Sequence, residues 1–125
     1  MITLMRNKLF SEISIRGVTS SNRIVLSPLC MYSADEGIPN DWHFSHLSTF
    51  ARAGVGIVFT EATAVQKIGR ITPYCCGLWN DLQAEAYEKI AVFIKKMGSI
   101  PAIQLAHAGR KGLTDLPWLG GKPIA

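Results

Sequence analysis

The sequence has 125 residues, of which 48% are hydrophobic and 18% are charged, and its formal net charge is +4. This composition excludes a disordered chain, because it supplies enough apolar surface to bury, and the length suits one small domain. The lysines and arginines are scattered and form no basic patch, so the charge does not indicate a nucleic-acid partner.

The number and spacing of the cysteines and the lengths of the apolar runs indicate the cellular compartment. The cysteine count is odd, and Cys75 and Cys76 are adjacent, which suits a disulfide between them poorly. Residues 1–8 contain no apolar core of signal-peptide length, and apolar runs such as 53–59 are too short to span a bilayer. We therefore predict a cytoplasmic protein with reduced thiols and no membrane contact.

Residues 10–15 and 22–26 have the character of strands, and they flank a polar stretch at 16–21. The first strand alternates apolar and polar residues, as an exposed strand does. The second has consecutive apolar residues, which is typical of a strand covered on both faces, and Pro28 ends it. We expect an N-terminal β-hairpin that leads into the first buried strand.

Two helices and two further strands follow. One helix is predicted from Asn40 or Asp41 to about Ala53, and a second from Asn80, with Gln83 completing a capping box. Buried strands are predicted at 57–60 and 101–105. Strands that alternate with helices in this way predict a parallel sheet, and right-handed crossovers place both helices on one face of a barrel wall.

Polar side chains follow each predicted parallel strand, where ligands bind in α/β sheets. Each has a simpler interpretation, since Cys30 could be a small buried hydrophobe and Glu61 a buried, paired carboxylate. Gln104 lies inside an apolar strand, and a buried amide needs partners. The residues concerned are Ser27, Cys30 and Tyr32 after the first strand, Glu61, Ala62 and Thr63 after the second, and Gln104, His107 and Arg110 after the third.

A structural zinc site is the competing interpretation. His43 and His46 could lie on one helix face, with Cys75, Cys76 and His107 on other segments. No Cys-x-x-Cys pair is present, so we predict no metal. The sequence also contains no phosphate loop and no dinucleotide-binding fingerprint.

Four blocks of sequence together resemble the beginning of an Old Yellow Enzyme, and Cys30 places the resemblance in the xenobiotic-reductase-like branch of that family. The blocks cover most of residues 9–112. They are Leu9-Phe10 with 22–32 (NRIVLSPLCMY), 40–43 (NDWH), 61–65 (EATAV) with 69–73 (GRITP), and 104–111 (QLAHAGRK).

The resemblance implies an α/β fold, namely the N-terminal portion of a TIM (β/α)₈ barrel with a β-hairpin and about three βα units. Residues 1–125 would form one incomplete FMN-binding barrel. It further implies an oxidoreductase in which NADPH or NADH reduces FMN, and the flavin then reduces the activated C=C bond of an enone-type or xenobiotic substrate.

The family's site residues carry over to matching positions of this sequence. Cys30 would also tune the flavin potential and contact the substrate, and Tyr32 would hydrogen-bond the substrate carbonyl, so both are catalytic candidates. Those implied to contact the flavin are Ser27, Pro28, Leu29, Cys30, Ala62 and Gln104, with Gln104 at the pyrimidine end of the ring.

A complete barrel of this type needs ~250 residues. We therefore expect the chain to be the N-terminal part of such an enzyme, with 113–125 a long loop. The chain would need a homo-oligomer, or the rest of the barrel from another chain, to cover its apolar faces. The alternative is a non-catalytic fragment or assembly piece that binds FMN weakly or not at all by itself.

Overall fold

The structure is a computed structural model that describes residues 7–124. The predicted domain, 1–125, also includes residues 1–6 and 125, which lie outside the described residues. Short 3₁₀ turns occur at Lys8–Phe10, Lys67–Gly69, Gly109–Lys111 and Pro117–Leu119. The regular elements are β1 (Ile13–Ile15), β2 (Val18–Ser20), β3 (Val25–Leu26), α1 (Asp41–Arg52), β4 (Ile57–Ala64), α2 (Asp81–Lys96) and β5 (Ile100–Ala106).

The N-terminal hairpin is formed by β1 and β2, which pair antiparallel. A two-residue turn joins them, and both of its residues have positive φ, 47° at Arg16 and 83° at Gly17. This is the backbone of a type I′ turn, whose twist matches that of the flanking strands. The N-terminal hairpin is therefore present as expected, but the polar stretch at 16–21 holds its turn and its second strand, because Gly17 lets the chain reverse there.

Three parallel strands form the main sheet, in the order β3-β4-β5. Both helices pack on one face of this sheet, as the right-handed crossovers predict. Fully burying one large aliphatic side chain contributes about 1.5–3 kcal/mol, so the core between helices and sheet is the main source of stability. Its buried members are Leu47 and Ala51 of α1, Val58 of β4, and Ile90 and Ile94 of α2.

Each helix begins with a capping box. At α1 the Asn40 side chain accepts a hydrogen bond from the Trp42 N–H at 3.1 Å, and His43 Nδ1 accepts the Asn40 N–H at 3.1 Å. At α2, Asn80 and Gln83 exchange bonds of 3.1 and 3.3 Å in the same way. Caps of this kind contribute about 1 kcal/mol each and fix where each helix starts, as predicted from the sequence.

The strand β4 contains one extra residue relative to β5. Phe59 pairs with Ala102, but Ala62 pairs with Gln104, so three steps along β4 match two along β5. Such a bulge re-aims side chains, and here the consecutive residues Thr60 and Glu61 both face the helices. After the bulge, Ala62 and Gln104 share the other face of the sheet.

Much apolar surface remains exposed. The accessible surface of the chain is 8509 Å², whereas a compact monomer of 13.7 kDa exposes about 6,600 Å². Among residues 7–124, β3 and β5 each pair with a strand on one side only, and Val25 and Leu105 on these strands are exposed. No helix within this range is long and apolar enough to cross a membrane.

We predict that the purified 125-residue chain associates, because two strand edges and apolar side chains face solvent. Light scattering after size exclusion should give a mass above 13.7 kDa. The variant Leu105→Lys should reduce this association, since a lysine on an edge strand opposes pairing. A single 13.7-kDa species with a cooperative melt would contradict the prediction.

Candidate functional site

Three residues predicted to contact a flavin lie together at the carboxyl ends of the main-sheet strands. Cys30 follows β3, and its thiol accepts a hydrogen bond from the backbone of Ala62 on β4. Ala62 in turn pairs in register with Gln104 on β5. Because residues paired in register in a parallel sheet share a face, these three side chains line one edge of the sheet. Ser27, Pro28 and Leu29 form the segment just before Cys30, with Ser27 and Leu29 exposed.

The expectation that Gln104 is buried is wrong, because its side chain is exposed. The apolar neighbours in β5 suggested a covered strand, but only β4 pairs with β5 among the described residues. Within those residues the Gln104 amide has no hydrogen-bond partner. An exposed amide carries no desolvation cost, so its donor and acceptor stay available to another molecule.

Cys30 is partly exposed, and its thiol is in hydrogen-bond contact with that of Cys75. Cys75 is buried, and its sulfur also accepts the Thr72 N–H at 3.3 Å. The hydrogen bonds from Cys30 and then Thr72 lower the pKa of Cys75 to about 6, despite its burial. The same contact, followed by burial, raises the pKa of Cys30. At neutral pH the anion therefore belongs on Cys75, and Cys30 remains a protonated thiol.

Tyr32 lies two residues beyond Cys30 in a strained backbone conformation. Its φ is 51°, in the left-handed region that costs a non-glycine residue of order 1 kcal/mol or more. Its ring meets that of Trp118 edge to face, with centroids 5.9 Å apart. Burial, followed by the nearby Cys30, raises the pKa of the phenol. Tyr32 therefore keeps its proton at neutral pH and can act as a hydrogen-bond donor.

A second polar cluster lies on the helix side of the sheet. His43 Nε2 of α1 lies 3.1 Å from Glu61 Oε1 of β4, and both side chains are buried. Since His43 Nδ1 accepts the Asn40 N–H, the ring proton belongs on Nε2, facing Glu61. The contact is close but poorly aligned, and within the described residues His43 Nε2 and both Glu61 carboxylate oxygens have no hydrogen-bond partner. The interpretation of Glu61 as a buried, paired carboxylate is confirmed.

Cys76 and Tyr87 complete this cluster. The Cys76 thiol lies beside Glu61 and the Tyr87 hydroxyl, which is 2.9 Å from the Thr63 hydroxyl. Burial is the main cause of the raised pKa values of Cys76 and Tyr87. Both groups are therefore protonated, and the hydrogen bond between Thr63 and Tyr87 links β4 to α2.

The residues of the zinc alternative do not all meet at one point, because His46 and His107 lie elsewhere. His46 packs against Phe50 with ring centroids 5.1 Å apart, and His107 lies 3.2 Å from the Gln66 side chain. The donor atoms of His43, Glu61 and Cys76 do lie within 4.8 Å of one another. Because the imidazole and the carboxylate face each other, we interpret this group as a structural polar pair with an adjacent thiol.

Comparison with known proteins identifies the family. The sequence profile of the NADH:flavin oxidoreductase / NADH oxidase family matches residues 8–117, which is most of the chain. The chain belongs to this family. The family agrees with the expected cofactors, FMN together with a nicotinamide donor.

Curated relatives agree with this assignment. The chain is 48% identical over 118 residues to an NADH:flavin oxidoreductase of Gibberella zeae, covering 94% of this chain and 29% of that protein. It is 50% identical over 109 residues to an NADPH dehydrogenase of Listeria monocytogenes, covering 86% of this chain and 32% of that protein. The chain thus spans about a third of the length of these relatives.

Solved structures confirm the fold class. An Old Yellow Enzyme from Pichia sp. superposes with a TM-score of 0.80 at 27% identity, over 86% of this chain and 28% of that one. The Old Yellow Enzyme homologue from Zymomonas mobilis gives 0.75 at 31% identity, over 83% and 29%. The hairpin and the β-α-β-α-β unit therefore correspond to the N-terminal portion of an Old Yellow Enzyme barrel.

Two neighbours of the site had no assigned partner in the sequence interpretation. The sequence pairs Cys75 only with the adjacent Cys76 and with the other candidate zinc ligands, and Trp118 lies in the segment predicted to be a loop. No sequence periodicity connects Cys75 to Cys30 or Trp118 to Tyr32, because each pair joins segments far apart in the chain. The adjacent pair Cys75-Cys76 is the one sequence feature that could have indicated these contacts. Two adjacent side chains in a loop point in different directions, so each cysteine needs a separate partner.

We predict that Glu61→Leu lowers the free energy of unfolding by about 1–3 kcal/mol, because it leaves the buried His43 N–H without a polar neighbour. Urea denaturation of the chain followed by circular dichroism measures this loss. The matched control is Glu36→Gln, which removes an exposed ion pair with Lys67 of 2.7 Å. That change should have little effect, since water already solvates both groups. Equal effects of the two substitutions would rule out a supporting role for the His43–Glu61 contact.

Proposed function

We propose that the chain carries the flavin-facing part of an NAD(P)H-dependent FMN oxidoreductase that reduces activated C=C bonds, as in enones. The observation that supports this most strongly is the convergence of Cys30, Ala62 and Gln104 at the carboxyl edge of three parallel strands. Ligands bind at this edge in parallel α/β folds. Family membership makes a flavin the expected ligand.

The residues at this edge suit an isoalloxazine ring. Ala62 is small and partly exposed, so a flat ring could pack against it without a steric clash. Gln104 adds an exposed amide on the same face, with both a donor and an acceptor for the pyrimidine end of the ring. Ser27, Pro28 and Leu29 would complete the contact from the β3 side.

When bound, FMN would supply the hydride chemistry, taking hydride from NADH or NADPH and passing it to the alkene. The chain's residues orient the reactants and adjust their electrostatics. The Gln104 amide would hold the ring through directional hydrogen bonds. The protonated Cys30 places a polarizable sulfur at the sheet edge without adding a negative charge there.

Tyr32 has the position and protonation state for the substrate contact. Its phenol lies near Cys30, and its raised pKa keeps the O–H intact. Donation from this O–H to a substrate carbonyl would stabilise the negative charge that grows on that oxygen as the β-carbon gains hydride. The edge-to-face contact with Trp118 would hold the ring for this task.

A second function remains open for the chain by itself, since it spans about a third of its relatives. The exposed site edge favours a non-catalytic assembly piece that needs further strands, from another copy or from the rest of a barrel, to hold FMN. The two functions differ in whether the purified chain retains flavin.

We predict that the chain binds FMN and that Gln104→Leu weakens the binding about thirtyfold, because two hydrogen bonds of about 1 kcal/mol each are lost. Quenching of flavin fluorescence during titration measures the dissociation constant. The control is Leu105→Gln on the same strand, whose side chain points to the opposite face and should leave the affinity unchanged. No flavin binding in any oligomeric state would favour the assembly-piece function.

For the flavin-loaded protein we predict that Tyr32→Phe slows reoxidation by an enone about a hundredfold, because one hydrogen bond to the developing oxyanion is lost. Reduction by NADPH should change little, since that step has no carbonyl to polarise. Stopped-flow absorbance separates the two half-reactions. Equal slowing of both would contradict the assigned role and point to a displaced flavin instead.

A further inference from the structure

All three cysteines of the chain gather around the end of β4, and all are free. Cys75 and Cys76 belong to a loop that runs beside β4, where the Ala64 N–H donates to the Cys76 carbonyl at 2.9 Å. The Cys76 thiol contacts Glu61 and Tyr87, whereas the Cys75 thiol contacts Cys30. The thiol of Cys75 thus contacts the thiol of Cys30, which belongs to a different segment. It does not pair with Cys76, its neighbour in sequence.

The backbone holds these two sulfurs in place. The Ala34 N–H donates to the Tyr74 carbonyl at 3.0 Å, which ties the segment after Cys30 to the loop that carries Cys75. The Cys75 N–H donates to the Thr72 carbonyl at 3.1 Å, and Cys75 Sγ accepts the Thr72 N–H. The Thr72 hydroxyl lies 3.5 Å from the same sulfur. These bonds fix the two segments whose thiols are in contact, so a disulfide between Cys30 and Cys75 would join neighbouring sulfurs.

We propose that Cys30 and Cys75 form a redox modification site, at which a small peroxide converts the two thiols to a disulfide. The bond itself does not depend on the proposed function, but its effect on flavin binding rests on it. A disulfide would pull Cys30 Sγ away from the Ala62–Gln104 edge. It would also replace the thiol that faces the ring with a fixed, bulkier group.

The reaction balances with hydrogen peroxide as the oxidant. The Cys75 thiolate attacks one peroxide oxygen, the O–O bond breaks, and the departing hydroxide takes the Cys30 proton to become water. The Cys30 thiolate then attacks the Cys75 sulfenic sulfur, the S–O bond breaks, and hydroxide leaves and is protonated by solvent. The two sulfurs lose two electrons in total, and one peroxide becomes two waters.

The two cysteines divide the roles in this reaction. Hydrogen bonds to Cys75 lower its pKa to about 6, so it is the thiolate that attacks peroxide at neutral pH. Cys75 is only 1% exposed, so the oxidant must reach it past Cys30, which favours a small neutral peroxide. Cys30 then acts as the resolving thiol. Cys76 takes no part, because burial beside Glu61 raises its pKa.

The test treats the full 125-residue chain with equimolar hydrogen peroxide, blocks remaining thiols with N-ethylmaleimide, and maps peptides by mass spectrometry. We expect a Cys30–Cys75 linked peptide, loss of two of the three free thiols, and recovery of both with dithiothreitol. The variants Cys30→Ser and Cys75→Ser should abolish the link, and Cys76→Ala should retain it. A Cys75–Cys76 link, links between chains only, or three unmodified thiols would overturn the proposal.

A second measurement separates this proposal from the proposed function. Flavin titration of the peroxide-treated and reduced chains should show at least tenfold weaker FMN binding after oxidation, reversed by dithiothreitol. If the linked peptide forms and neither chain binds FMN, the flavin function fails and the modification site stands. If the reduced chain binds FMN and no linked peptide forms, the modification site fails and the flavin function stands.

Discussion

The extra residue in β4 is the constraint on which both polar clusters depend. Side chains along a regular strand alternate between faces, so Thr60 and Glu61 would otherwise point to opposite sides. The bulge lets both face the helices, which brings Glu61 to His43 of α1. It also restores the alternation one residue later, so that Ala62 shares a face with Gln104. One irregularity in a strand thus places a support on one face and a site edge on the other.

The support and the site edge are connected through the loop that follows β4. Its two cysteines reach in different directions, Cys76 toward Glu61 and Tyr87, and Cys75 toward Cys30. The Trp79 ring fills the space beside Gly77, where any side chain would collide with it, and this fixes the path of the loop. A buried polar pair, a shared thiol contact and a tight glycine position therefore hold the Cys30 segment against the sheet. A segment that presents side chains to a ligand needs such support from several independent contacts.

The open surface of the chain follows from the same arrangement. Helices cover one face of the sheet, whereas Ala62 on the other face is partly exposed and Gln104 is exposed, and the outer edges of β3 and β5 have no paired strand within the described residues. In a closed barrel these edges pair with further strands and the inner face is filled. The family match and the likeness to Old Yellow Enzyme barrels give the same picture, since the chain spans about a third of these relatives.

The sequence by itself determined the order of the two helices and the three main-sheet strands, both helix starts and the strand ends that carry polar side chains. These features rest on local chemistry: apolar periodicity, asparagine caps, and glycine or proline stops. The tertiary structure alone decided the bulge in β4, the exposure of Gln104 and the contact between Cys30 and Cys75. Each of these depends on segments far apart in the chain, whose mutual packing no local pattern encodes. A one-residue shift in register changes the face of every later side chain. The sequence could therefore supply candidate site residues, but it could not show which of them lie on the same face.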